Sequence, residues 1–218
     1  MAGSPSADPG RAGAAPVGGS WAGAVLCGGA SSRMGRDKAL IVLDGRPLAV
    51  RVAEALTRAG AGRVAAIGGD GAALAAAGLD HVPDGWPGAG PLGGVVTALR
   101  WARRVAERPE AVVVVACDLL APSAAALEAT VAGLGRDPSA DVAVPVVGHR
   151  RQWVHGAWRP RAERPLAEQL ERGRRAIHAA VAGAPLAVVE VEGLPPGALA
   201  DADVPGDLPK GLRRTPTG

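Results

Sequence analysis

Val112-Val113-Val114-Val115, followed after one alanine by Cys117-Asp118, is the stretch on which the fold turns. Four consecutive β-branched residues with no polar alternation describe a strand covered on both faces, the pattern of a central strand in a parallel sheet. A carboxylate just past such a strand stands at the sheet's carboxyl edge, where open α/β sheets bind ligands. Upstream, Ala24-Val25-Leu26 is a second short apolar run, leading into a glycine-rich loop. The spacing of Leu48, Val52, Ala55, Leu56 and Ala59 predicts a helix over 47–59 with Pro47 in its first turn. Residues 63–67 form a further strand closed by Gly68-Gly69, and a short Ala-rich helix and a strand at His81-Val82 follow.

Between these and the valine run lies a loop over 85–94, rich in Gly and Pro, and then a helical face of Leu92, Val95, Val96, Leu99 and Val105. Beyond the valines, Ser123 is placed to cap a helix reaching about Gly133, and residues 141–145 read as another strand. Alternating strands and helices of this kind predict a doubly wound, mostly parallel α/β sheet with right-handed crossovers. Three chemically equipped loops follow strands, at 27–38, 83–94 and from Asp118 onward, and they are expected to converge on one crevice.

The composition of the 218-residue chain supports one domain. Hydrophobic residues make up 48%, yet there is no Phe and no Tyr, so Val, Leu, Ala and five Trp must fill the core. A net charge of +3 suits acidic small-molecule substrates and does not make a nucleic-acid binder. No apolar run reaches the length of a membrane span. Cys27 and Cys117 form no metal-ligand pattern. They end strands expected to be neighbours and are read as two reduced thiols side by side. Residues 1–20 are rich in Ala, Gly, Pro and Ser and lack a signal peptide's apolar stretch, which predicts a disordered tail on a cytoplasmic protein. The folded domain is expected over 21–209, with a second tail over 210–218.

The loop after the first strand reads Leu26-Cys27-Gly28-Gly29-Ala30-Ser31-Ser32-Arg33-Met34-Gly35-Arg36-Asp37-Lys38. Adjacent glycines let a backbone approach a ligand closely, and Arg33 and Lys38 add positive charge where a triphosphate would lie. It is neither a Walker A loop nor a dinucleotide fingerprint. A turn with a solvated basic rim would explain Gly28-Gly29 alone, though not the whole string. The string resembles the signature of nucleotidyltransferases that activate sugars, isoprenoid precursors and molybdopterin, and is most similar to the molybdenum cofactor guanylyltransferase family. The likeness continues through Leu43-Asp44-Gly45-Arg46-Pro47-Leu48, Asp84, Gly88-Ala89-Gly90-Pro91-Leu92-Gly93-Gly94, Cys117-Asp118 and Val204-Pro205-Gly206-Asp207-Leu208.

That resemblance implies a Rossmann-like nucleotidyltransferase fold and the transfer of GMP from GTP to molybdopterin. It implies that Leu26, Cys27, Gly28 and Gly29 line the nucleotide site, and that Arg33 and Lys38 hold phosphates. It also implies that Asp84 contacts nucleotide and that Asp118 ligates Mg²⁺. A molybdoenzyme or cofactor-insertion protein is the partner it implies. Cys27 departs from the family's alanine. The family's C-terminal Asn-x-Asn-Thr-Pro-Glu-Asp-Leu appears here as Asp201-Ala202-Asp203-Val204-Pro205-Gly206-Asp207-Leu208. Asp203 is thereby a second candidate magnesium ligand, with an incidental acidic turn as the competing reading. Both aspartates favour a sister activity, cytidylyl transfer to the same cofactor or guanylyl transfer to 2-phospholactate. A nucleotide-binding regulator without catalysis is a rival of another class. The Arg- and Trp-rich stretch 149–175 reads as an acceptor site, or more plainly as a solvated helix face over 162–172 beside core tryptophans.

Overall fold

The computed structural model describes residues 20–28, 37–195 and 197–200. Both predicted tails therefore lie almost wholly outside the described residues, as do Gly29, Arg33, Asp201 and Asp203. The chain opens with β1 (Trp21–Leu26) and resumes in a 3-10 turn, Lys38–Leu40. A tight hairpin, β2 (Val42–Leu43) and β3 (Arg46–Pro47), leads into α1 (Leu48–Arg58). Then come β4 (Arg63–Ile67), α2 (Gly71–Ala76), β5 (His81–Val82) and α3 (Pro91–Ala102). The valine strand is β6 (Ala111–Ala116), followed by α4 (Ala124–Arg136), β7 (Val142–Val147) and β8 (Arg150–Arg151). A short β9 (Ala157–Trp158), α5 (Glu163–Glu171), α6 (Ile177–Ala182) and β10 (Val188–Val191) complete the described fold.

The main sheet has the order β10-β7-β9-β6-β1-β4-β5, with β8 paired to β7. β4, β5, β6 and β1 run parallel, as do β7 and β10, while β9 runs antiparallel between β6 and β7. The doubly wound, mostly parallel sheet is thus present, with two short reversed strands, β8 and β9, that sequence reading did not anticipate. The valines sort by parity: Val113 and Val115 enter the core beneath α1, α2 and α4, whereas Val112 and Val114 enter the one beneath α3, α5 and α6. All four are fully buried, so the unbroken apolar run reports two covered faces.

A core without Phe or Tyr brings its layers close together. A Cβ at Gly23 would stand 2.9 Å from Leu56 Cδ1, so α1 rests almost on the β1 backbone. Trp158, fully buried, is the one bulky exception at the centre of the α3 side. Two predicted boundaries move. The helix expected after a loop over 85–94 begins earlier, at Pro91, and ends at Ala102, so Val105 lies outside it. Gly93 and Gly94 are helical because the space is small: a Cβ on Gly94 would meet Leu26 Cδ2 at 2.9 Å. The helix capped by Ser123 runs on past Gly133 to Arg136. Ser123 Oγ accepts from Ala126 N at 3.3 Å, as its position predicted.

Candidate active site

Four consecutive strands, β6, β1, β4 and β5, deliver the site groups to one carboxyl edge. Past β6 stand Cys117 and Asp118, past β1 Cys27 and Gly28, past β4 Gly68 and Gly69, and past β5 Asp84. Two of the three predicted loops, at their described residues, meet at Gly28, and Lys38 brings the far end of the 27–38 loop to the third. A Cβ on Gly28 would lie 3.6 Å from Asp84 Oδ2. Gly68 and Gly69 have φ of +72° and +76°, a left-handed pair that only glycine adopts freely. At Gly68 a Cβ would press on the Gly28 backbone at 3.1 Å, so this floor closes only without side chains.

The backbone N–H groups of Cys27 and Gly28 do not face a ligand. Both donate to the Ile67 carbonyl, at 2.9 and 3.1 Å, and weld the start of the loop to the end of β4. What Gly28 contributes is a surface free of side chains. Leu26 is buried at the end of β1 and packs against α3 at Gly94.

Lys38 returns the chain from the signature loop. Asp37 caps its 3-10 turn by accepting from Ala39 N at 3.0 Å, and Ala39 is sealed in the core. The second oxygen of Asp37 accepts from Asp70 N at 3.4 Å, tying this return to the loop after β4. So fixed, Lys38 Nζ donates to Asp118 Oδ2 at 3.0 Å across 80 residues of sequence. The pair is largely shielded, with side chains 22% and 16% exposed. Asp84 is held from beneath. Its Oδ1 accepts from Trp86 N at 2.9 Å and stands 3.2 Å from Thr97 Oγ1, which leaves Oδ2 turned toward Gly28. Thr97, buried on α3, also accepts from Gly85 N at 3.1 Å.

Cys27 and Cys117 are free, buried thiols at the ends of neighbouring strands. Hydrogen bonding between them, then burial, then the charges of Cys27, Asp118 and Asp37 push the Cys117 thiol well above its ordinary value. It is therefore a neutral thiol at physiological pH and no nucleophile.

Among the described residues no group of three or more His, Cys, Asp or Glu could cage a metal. That does not argue against magnesium, which usually binds through one or two carboxylates, several waters and substrate phosphates. A shielded carboxylate beside a lysine fits that donor set. The described chain also returns to this point, since Leu120 N donates to the Ala200 carbonyl at 3.1 Å, three residues before Asp203.

The stretch 149–175 resolves mostly into structure. Arg161 binds Asp141 and the carbonyls of Ser139 and Ala140, Arg174 and Arg175 bind backbone carbonyls, and Trp158 is core. Arg151 stacks 5.8 Å over Trp153 and pairs with Glu190. These arginines thus serve the fold's own contacts, and Trp153 packs half-buried against the core that holds Trp158. Sequence reading missed Thr97 and Arg51. Both sit on largely apolar helices and their partners lie far along the chain, so no local signal marked them.

Comparison with known proteins agrees with this geometry. Residues 23–185 match a protein family described as the MobA-like NTP transferase domain. A molybdenum cofactor guanylyltransferase from Rhizobium meliloti is 47% identical over 77 residues, which is 35% of either chain. The match thus spans about a third of that relative's length. Another, from Bradyrhizobium sp., is 34% identical over 151 residues, covering 68% of this chain and 70% of its own. Among solved structures, a CMP:2-keto-3-deoxy-manno-octonic acid synthetase complexed with CTP superposes with a TM-score of 0.69 at 16% identity. It covers 88% of this chain and 97% of its own, a likeness of fold alone.

Proposed function

Since this chain belongs to the MobA-like NTP transferase family, we propose that it transfers GMP from GTP to the phosphate of molybdopterin and releases pyrophosphate. The observation that carries the proposal is the Lys38–Asp118 pair, 3.0 Å apart at the carboxyl edge, with Asp84 Oδ2 turned to the same floor. Relatives named molybdenum cofactor guanylyltransferase support the choice of nucleotide and acceptor. The catalytic domain spans 21–209 and works in the cytoplasm, where Cys27 and Cys117 stay reduced. A molybdoenzyme or its cofactor-insertion protein receives the product.

An oxygen of the acceptor phosphate attacks the α-phosphorus in line, and the bond from that phosphorus to the bridging oxygen of pyrophosphate breaks. The nucleophile is already anionic, so no covalent enzyme intermediate is required, and positioning with charge neutralisation carries the rate. On substrate binding Lys38 exchanges Asp118 for a phosphate oxygen, and Arg33 holds the departing pyrophosphate. Mg²⁺ held by Asp118, with Asp203 as second carboxylate, supplies neutralisation of phosphate charge. Asp84 accepts a hydrogen bond from the nucleoside, while the glycine floor of Gly28 and its neighbour Gly29 admits it closely.

Pyrophosphate release with Mg²⁺, molybdenum-loaded molybdopterin and either GTP or CTP tests the reading. Release with GTP alone is expected. Release with CTP alone moves the chain to cytidylyl transfer, the reading favoured by aspartates at 201 and 203. Lys38→Ala and Asp118→Ala should each lower turnover by on the order of 10²–10³-fold without loss of fold. Undiminished turnover in either variant would displace the site.

A further inference from the structure

The loop that leaves β6 carries Asp118 and must hold it still. On one side Leu119 is fully buried in the core and anchors the chain. On the other side the loop faces α1 and the β2–β3 hairpin across an open groove of about 560 Å³, lined by Asp44, Arg46, Arg51, Glu54 and Ser123 among others. Most of that lining is polar or charged, and one side chain reaches across it. Arg51, from the first turn of α1, donates through Nη2 to the Leu120 carbonyl at 3.0 Å. Its Nη1 donates to Asp44 Oδ2 at 3.1 Å and reaches the Leu43 carbonyl at 3.5 Å. Leu120 is thus fixed twice, by Arg51 at its carbonyl and by Ala200 at its N–H.

We propose that Arg51 is a positioning residue for the cation-binding carboxylate. It clamps the peptide two residues beyond Asp118 to the hairpin and α1, and so sets where Asp118 points. The inference rests on the reading of Asp118 as the metal-binding carboxylate. Arg51 is 22% exposed, and its buried Nε has no acceptor among the described residues. A buried donor without a partner is unfavourable, so the two Nη bonds are what hold the guanidinium there. The two Nη bonds diverge to acceptors on separate segments, which a planar fork reaches together and a lysine ammonium does not. Partners that hold a metal ligand from behind typically change metal affinity by about 10–100-fold when removed.

The test measures Mn²⁺ binding by electron paramagnetic resonance in the presence of GTP, for the wild type, Asp118→Asn, Arg51→Met and Arg51→Lys. Each protein's melting temperature, and its affinity for GTP without divalent ion, are measured beside it. Arg51→Met should weaken Mn²⁺ by about tenfold, Arg51→Lys by less, and neither should alter metal-free GTP binding. Should Arg51→Met melt early, Arg51→Lys decides alone. Asp118→Asn that leaves Mn²⁺ affinity unchanged overturns the reading of Asp118, and this inference with it. Weakened binding in Asp118→Asn beside unchanged binding in both folded Arg51 variants overturns this inference alone. Equal loss of metal-dependent and metal-free binding would also overturn it, as the mark of a purely structural role.

Discussion

Asp84 divides its two oxygens between the fold and the edge. Oδ1 accepts from Trp86 N and lies 3.2 Å from Thr97 Oγ1, a hydroxyl shared with the Gly93 carbonyl at 2.8 Å, while Oδ2 stays toward Gly28. The Thr97 oxygen also accepts from Gly85 N, a second bond that a valine cannot make. Thr97→Val should therefore destabilise the protein by about 1–3 kcal/mol and raise KM for the nucleotide more than it lowers kcat. Thr97→Ser should restore both. Steady-state kinetics with chemical denaturation reads the two effects, and an unchanged KM in Thr97→Val would mean Asp84 needs no such support. Cys117 offers a pH test at the same scale. Its thiol is raised above its ordinary 9.0 by the hydrogen bond with Cys27, and next by burial. Below that value the stabilisation is fully present. Above it the unfolded thiol ionises first, so stability falls as pH rises toward the folded value. Melting from neutral pH to about pH 10 should show that fall, and Cys117→Ala should flatten it.

Elements pack here by omission of side chains, and that makes helix–sheet spacing testable. Gly23 lies in β1 under Leu56, whose Cδ1, Cβ and Cδ2 would all come within 3.2 Å of a new Cβ. Leu56 is fully buried and has nowhere to move. Gly23→Ala should destabilise by about 1–3 kcal/mol, the usual effect of overpacking. A denaturation midpoint equal to the wild type's would mean α1 sits farther from the sheet. The same closeness explains what sequence reading reached and what it missed. The valine run and its neighbours were legible because each strand follows a rule of burial or punctuation that acts locally. The start of α3 was not, since Gly93 and Gly94 oppose a helix by propensity and are retained for contact with Trp86 and Leu26. β9 was invisible for a different reason. Ala157–Trp158 is too short for any period, and only its partners Val112, Val113, Val142 and Ala143 make it a strand. At the site, Asp118 was legible as a carboxylate after a buried strand and Lys38 as a charge closing the glycine-rich loop, while Asp84 was reached through the family resemblance. Arg51 and Thr97 act through bonds to residues 69 and 13 positions away, which no local pattern encodes.

At the scale of the whole molecule, the described site belongs to no single segment. Its groups come from the ends of β6, β1, β4 and β5, adjacent in the sheet but drawn from residues 28 to 118. Cross-strand ties already join those ends, from Cys27 and Gly28 to Ile67, Gly68 to Val82, Cys117 to Leu26 and Lys38 to Asp118. A nucleotide that touches this edge adds further ties between the same segments and exists only on the folded chain. Its binding must therefore appear as global stability. At about one hundred times Kd the gain is roughly 2.7 kcal/mol, and each kcal/mol raises the melting temperature of a domain this size by about 2–4 °C. Mg²⁺ with GTP should thus raise the melting temperature by roughly 5–10 °C. GTP without metal should give part of that, and Asp118→Ala should lose the metal-dependent part alone. Equal shifts with CTP and GTP would remove base selectivity from this edge and leave it to the acceptor. An absent shift with every nucleotide, at concentrations that saturate the proposed site, would mean that this carboxyl edge does not bind nucleotide.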